Sequence, residues 1–117
     1  MPPRYQPTDS SESPRFTGVR TYARCPLSDD WAGADVAVLG VPFDSAVSFR
    51  PGARYGPAAV REMSLMMRRW HPVLEVDVFD ALSVIDGGDV TTTPGNAERT
   101  AGQIGRASCR ERVYSNV

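Results

Sequence analysis

The first continuous apolar run in the chain is Val36-Ala37-Val38-Leu39. A run without polar alternation predicts a strand of a parallel sheet, covered by helices on both faces. Gly40 and Pro42 end it, and a loop holding Asp44, Ser45, Ser48, Arg50 and Arg54 follows. Such a loop leaves the carboxyl end of its strand, where open parallel sheets bind their ligands. Gly56-Pro57 predicts a helix start, because proline at the first helical position gives up no needed N–H and already has a helical φ. Ala59, Val60, Met63, Met66, Met67 and Trp70 then recur on one side, with Arg61, Ser64 and Arg68 on another, as in a helix laid against a sheet. His71-Pro72 stops this helix, and Arg68 and Arg69 complement its negative end. Leu82–Asp86 predicts a second strand. Strand, helix and strand together make one right-handed crossover unit. Pro94-Gly95 reads as a turn and Asn96 as the cap of a second helix, which has scarcely begun when its pattern breaks at Ile104.

Outside this unit the pattern fades. Residues 1–13, MPPRYQPTDSSES, are polar and proline-containing, which predicts a loosely attached segment. Phe16, Val19 and Tyr22 are spaced through Pro14–Pro26 like the contacts of an extended strap. Asp29-Asp30 and the acids Glu75, Asp77 and Asp80 read as solvated. From Ile104 the chain reads IGRASCRERV, rich in arginine and without apolar period; it resembles translated adapter sequence joined to a gene fragment. The organisation expected is a flexible amino-terminal segment and arm over 1–33, a partial α/β domain over 34–103, and a non-native tail over 104–117.

Composition narrows the partners. Thirteen basic residues, all of them arginine, stand against fourteen acidic ones, for a net charge of −1. That balance favours neither nucleic acid nor any other polyanion. No apolar run is long enough to span a membrane. Cys25 and Cys109 lie far apart in a sequence without a secretory signal, which suggests reduced thiols and a cytoplasmic setting.

The string GVPFD (residues 40–44) with RPGARYGPAAVR (50–61), preceded by PRFTGVRTYAR (14–24) and followed by VIDGGDV (84–90), strongly resembles the amino-terminal third of the ureohydrolases. This is the arginase and agmatinase family, and the strings stand closer to its agmatinase and guanidino-acid hydrolase branch than to arginase itself. The resemblance runs from about Pro14 to Gln103. It implies the amino-terminal portion of the arginase-type three-layer α/β/α fold with a parallel sheet. It also implies a homo-oligomeric parent enzyme in which two Mn2+ ions, held by histidines and aspartates, support hydrolysis of a small guanidino substrate to urea and an amine.

The family's ligand motifs GGDH, DAHxD and SxDxDxxDP are not found in this sequence. Gly87-Gly88-Asp89-Val90 matches the family's VxDxGD strand end, and a valine cannot replace a ligating imidazole. The one histidine, His71, reads as a helix-end residue. No catalytic or metal-ligating residue is therefore assigned, no manganese is expected on this chain, and the chain alone is expected to be inactive. What remains of a site is the substrate loop. Asp44 suits either a ligand-orienting acceptor or a local loop cap. Ser48 lies within the loop, Phe49 either walls a pocket or packs, and Arg50 and Arg54 suit a substrate carboxylate or salt bridges. Arg61 falls on the family's GPxxxR position, where a structural ion pair is expected.

Agmatine, giving putrescine and urea, is the substrate expected of the parent; a guanidinobutyrase or guanidinopropionase is the alternative. A nucleotide-binding module and a non-catalytic assembly partner are readings from other classes. Against the nucleotide module, GVPFD lacks both GxGxxG and GxxxxGK[ST], and Asp44 would repel a phosphate.

Overall fold

The computed structural model describes residues 4–109. The first three residues of the expected flexible segment and the last eight of the expected tail lie outside them. The chain forms two compact units. Among the described residues, one takes in 4–38 together with Val60–Gly88, and the other Leu39–Ala59 together with 89–109.

Among the described residues, seven strands and α-helices follow in order: β1 (Val36–Gly40), α1 (Gly56–Ser64), β2 (Trp70–His71), β3 (Val76–Asp77), α2 (Val78–Ala81), β4 (Val84–Asp89) and α3 (Ala97–Ser108). β1 pairs with β4. Their bonds advance in the same sense along both strands, from the Asp35 and Val36 N–H groups to Ser83 O, then from Val90 N–H to Gly40 O, so the pair is parallel as expected. β1 is less covered than its apolar run predicts: Val36 is exposed and Ala37, Val38 and Leu39 are half-buried.

In the first unit the amino-terminal segment, expected to be loose, is tied down. Tyr5 N–H donates to Ser83 Oγ at 2.9 Å, Gln6 Nε2 to Phe79 O at 2.7 Å, and Thr8 N–H to Arg24 O at 3.0 Å. Leu27 bridges in parallel to Asp86 of β4. Ala23, Cys25, Phe79 and Val84 form the core, with Tyr22 and Val38 packed on it. Both cysteines are free, and burial followed by the nearby Asp86 charge pushes the Cys25 thiol up to about 11. The Tyr22–Arg24 turn holds Ala23 (φ 51°) and Arg24 (φ 58°) in the left-handed region, uncommon for residues with a Cβ. Ala23 N–H is caught there by Ser64 Oγ at 2.8 Å.

α1 departs from its periodicity. It ends at Ser64, whose hydroxyl donates back to Arg61 O at 2.6 Å, and tighter i to i+3 bonds carry the chain through Leu65, Met66 and Met67. The chain then enters a hairpin: Trp70 pairs with Asp77 and His71 with Val76, antiparallel. Arg68 and Arg69 therefore lie beyond the helix and do not complete its dipole. Arg69 instead binds Asp77 at 3.0 Å and Asp80 at 3.2 Å, which also corrects the reading of those acids as merely solvated. His71 is corrected as well, since its Nδ1 accepts from Leu74 N–H at 3.1 Å and closes the hairpin turn. The face of Val60, Met63, Met66, Met67 and Trp70 that was expected against a sheet is exposed, while Ser64 and Leu65 are buried.

In the second unit, Asn96 caps α3 as expected, its side chain accepting from Arg99 N–H at 2.9 Å. Thr100 is buried, receives Thr93 N–H at 3.0 Å, and fastens the helix to the turn before it. α3 does not break at Ile104 but continues to Ser108. Gly40 is needed where it stands, because a Cβ there would run into the Asp89 carboxylate and lie 2.8 Å from Pro57 Cβ.

Candidate functional site

Asp86 lies fully buried on β4, and four donors converge on its carboxylate. Oδ2 accepts Tyr22 N–H at 2.8 Å and Arg61 Nε at 2.8 Å; Oδ1 accepts Arg61 Nη2 at 3.0 Å and Gly88 N–H at 2.8 Å. Arg61 Nη2 also reaches Gly88 O at 3.0 Å. This is the ion pair expected of Arg61, in the bidentate geometry that arginine offers a carboxylate. Burial pushes the Asp86 carboxyl up, but the Arg61 bond, the two amides and the Arg61 charge outweigh it and hold the group below its ordinary value. Tyr22, Arg61 and Asp86 come from the three strings PRFTGVRTYAR, GPAAVR and VIDGGDV, so one side chain joins them.

Asp44 does the same over a shorter span in the second unit. Its side chain is 1% exposed. Oδ1 accepts Arg54 Nε at 2.8 Å and Nη2 at 2.7 Å, and Oδ2 accepts Gly52 N–H at 2.7 Å and Arg54 N–H at 3.3 Å. The Arg54 side chain is the main cause that lowers the Asp44 carboxyl to about 2. A carboxylate offers about four lone-pair positions. Asp44 and Asp86 have filled theirs, so neither has an oxygen left for a metal ion or a reacting proton.

Of the other loop residues, Ser48, Phe49 and Arg50 are all exposed, and Phe49 is 76% accessible. The Arg50 guanidinium lies over the Phe49 ring, 5.0 Å from its centroid. Arg50 also has φ 51°, so the loop tip is held in a left-handed turn. Asp44 and Arg54 are thus brought together, while Ser48, Phe49 and Arg50 form a separate tip. The central role of Asp86 was not read from the sequence. Its one local signal is the glycine pair after it, which lets Gly88 N–H turn back to the carboxylate at φ 78°.

Among the described residues no three of His, Cys, Asp or Glu converge to hold a metal ion. The residues present do not fit a binuclear manganese centre. Nor is any helix among them long and apolar enough to cross a membrane.

Comparison with known proteins agrees with this assembly of motifs. The Arginase family profile matches residues 34–113, more than half of the chain. A guanidinopropionase of Pseudomonas aeruginosa is 42% identical over 89 residues, covering 76% of this chain and 28% of its own. An agmatinase of Bacillus subtilis is 39% identical over 75 residues, covering 64% and 26% respectively. The crystal structure of a hypothetical agmatinase from Burkholderia thailandensis superposes with a TM-score of 0.74 at 36% identity, covering 88% of this chain and 33% of that one. The chain thus spans roughly a quarter to a third of the length of these relatives. With its parallel strand pair and helices it is part of the arginase-type α/β fold, and it belongs to the arginase family of hydrolases.

Proposed function

We propose that the full-length protein hydrolyses the guanidino group of a linear substrate, releasing urea and the corresponding amine. The observation that carries this reading is the Asp86 junction, where three strings shared with the ureohydrolases are bonded into one structure. The family resemblance supplies the cofactor, two manganese ions. The family's ligand motifs GGDH, DAHxD and SxDxDxxDP do not occur among this chain's residues, and on that ground the 117-residue chain is proposed to be inactive by itself. The same resemblance implies that the full-length enzyme is a homo-oligomer, and the two free, widely separated cysteines suit a cytoplasmic setting.

Agmatine, yielding putrescine, is the first reading of the substrate. It rests on the likeness of the loop strings to the agmatinase branch and is supported by the agmatinase relatives. A guanidino acid is the second, and Arg50 favours it. Arg54 is committed to Asp44, whereas Arg50 stacks on Phe49 and is the loop arginine left for a substrate carboxylate. A cation there would also repel the distal ammonium of agmatine.

Urea release by the manganese-loaded full-length enzyme should be compared across agmatine, 3-guanidinopropionate, 4-guanidinobutyrate and arginine. The agmatine reading predicts the highest kcat/KM for agmatine and little change on Arg50→Ala. A guanidino acid ahead of agmatine, with that preference collapsing in Arg50→Ala, establishes the second reading instead. No urea from any of the four contradicts the proposed reaction.

A further inference from the structure

We propose that a cavity in the first unit binds a small carboxylate carrying an apolar body. The cavity measures about 520 Å³, within the range of roughly 300–1,000 Å³ of small-molecule sites. Arg15, Arg24, Arg68 and Arg69 all line it. Among the described residues of its wall Asp9 is the only carboxylate, and Asp9 Oδ1 already receives Ser11 N–H at 2.8 Å and Ser11 Oγ at 2.7 Å.

The four arginines differ in how their charge is met. Arg69 is neutralised by Asp77 and Asp80 and lies over the Phe79 ring. Arg24 is the unusual one. It is 7% exposed, and its guanidinium donates to Ser13 O at 2.7 Å and Ser13 Oγ at 3.1 Å, both neutral acceptors. A buried guanidinium without a counter-charge is unfavourable, and three of its five N–H groups remain for an incoming anion. Arg15 and Arg68 have no carboxylate partner among the described residues. The wall therefore carries more positive charge than its own acids balance.

The rest of the wall selects the kind of anion. Trp70, Phe79 and Leu65 present apolar surface beside these guanidiniums. An inorganic anion would satisfy the charge and leave that surface wet. A carboxylate with an aromatic or aliphatic body uses both, its head on the arginine forks and its body on the rings.

The probe is phenylacetate, titrated into the 117-residue chain by calorimetry at constant ionic strength, with inorganic phosphate as the comparison anion. Saturable one-to-one binding is expected, with phosphate at least tenfold weaker. Arg24→Gln should weaken phenylacetate at least tenfold. Should Arg24→Gln fail to fold, Arg68→Gln, on the exposed wall, is expected to weaken it several-fold. Absence of saturable phenylacetate binding, equal affinity for phosphate, or unchanged affinity in Arg68→Gln would each overturn the proposal.

Discussion

Asp86 and Asp44 make the same number of bonds by different routes. Asp86 gathers Tyr22, 64 residues away, and Arg61, 25 away, into one buried carboxylate. Asp44 gathers only Gly52 and Arg54, eight and ten residues on, and so closes one loop. The Arg61 side chain is 13% exposed, whereas that of Arg54 is 50% exposed. The first pair therefore works in a dry setting, where a broken charge contact is severe, and the second is open to screening by water. A saturated carboxylate is thus a joint of the whole first unit in one case and a local clasp in the other.

The largest effect expected from this difference is at Asp86. Replacing it with alanine takes from the largely buried Arg61 guanidinium the carboxylate that accepts two of its donors, a loss of about 3–5 kcal/mol, which is a large share of the stability of any small domain. Urea denaturation followed by circular dichroism reads it directly. Replacing both partners, Arg61→Met with Asp86→Leu, should recover much of the loss, because the buried guanidinium is removed together with the carboxylate it binds. A single-site loss under about 1 kcal/mol, the worth of an ordinary surface pair, would place Asp86 in the same class as Asp44.

A smaller effect is expected within the second unit at Asn96, whose side chain caps α3 through Arg99 N–H. Asn96→Ala should cost about 1 kcal/mol and reduce helical signal, without touching the exchange rates of β4 amides. The most local effect is that of Asp44→Asn. It should speed hydrogen exchange at the Gly52 and Arg54 amides while leaving those of Tyr22 and Gly88 protected. Loss of protection at both junctions together would show that the loop and the buried pair are one cooperative structure.

What the sequence revealed follows the same division between local and distant bonds. The Asn96 cap was legible because capping depends on neighbours in sequence, and Arg61 was legible because its position within a recognisable string implies a partner. The end of α1 was not. Met63, Met66, Met67 and Trp70 continue the helical period beyond the point where the Ser64 hydroxyl and the Trp70–Asp77 hairpin stop it, and the hairpin is a tertiary choice. The period also predicted a buried face that the structure leaves exposed, since periodicity says which residues share a side and not what covers them. In the loop, Asp44 was recognised as either a cap or an orienting acceptor. In the folded chain all four of its acceptor positions are occupied.

The claim that both carboxylates are fully engaged is tested most directly by following their side-chain carbonyl carbons by NMR as pH is lowered. An aspartate has an ordinary value near 3.8, and Asp44 is held at about 2. Its depressed value means that its contribution to stability is fully present above the unfolded value and is lost as pH falls through the folded one. Asp86 is depressed as well, so the same sign applies. The account predicts an Asp44 midpoint near 2 and an Asp86 midpoint below 3.8, with Arg54→Ala returning Asp44 toward its ordinary value and leaving Asp86 unmoved. Midpoints near 3.8 for both aspartates in the wild-type chain would contradict it.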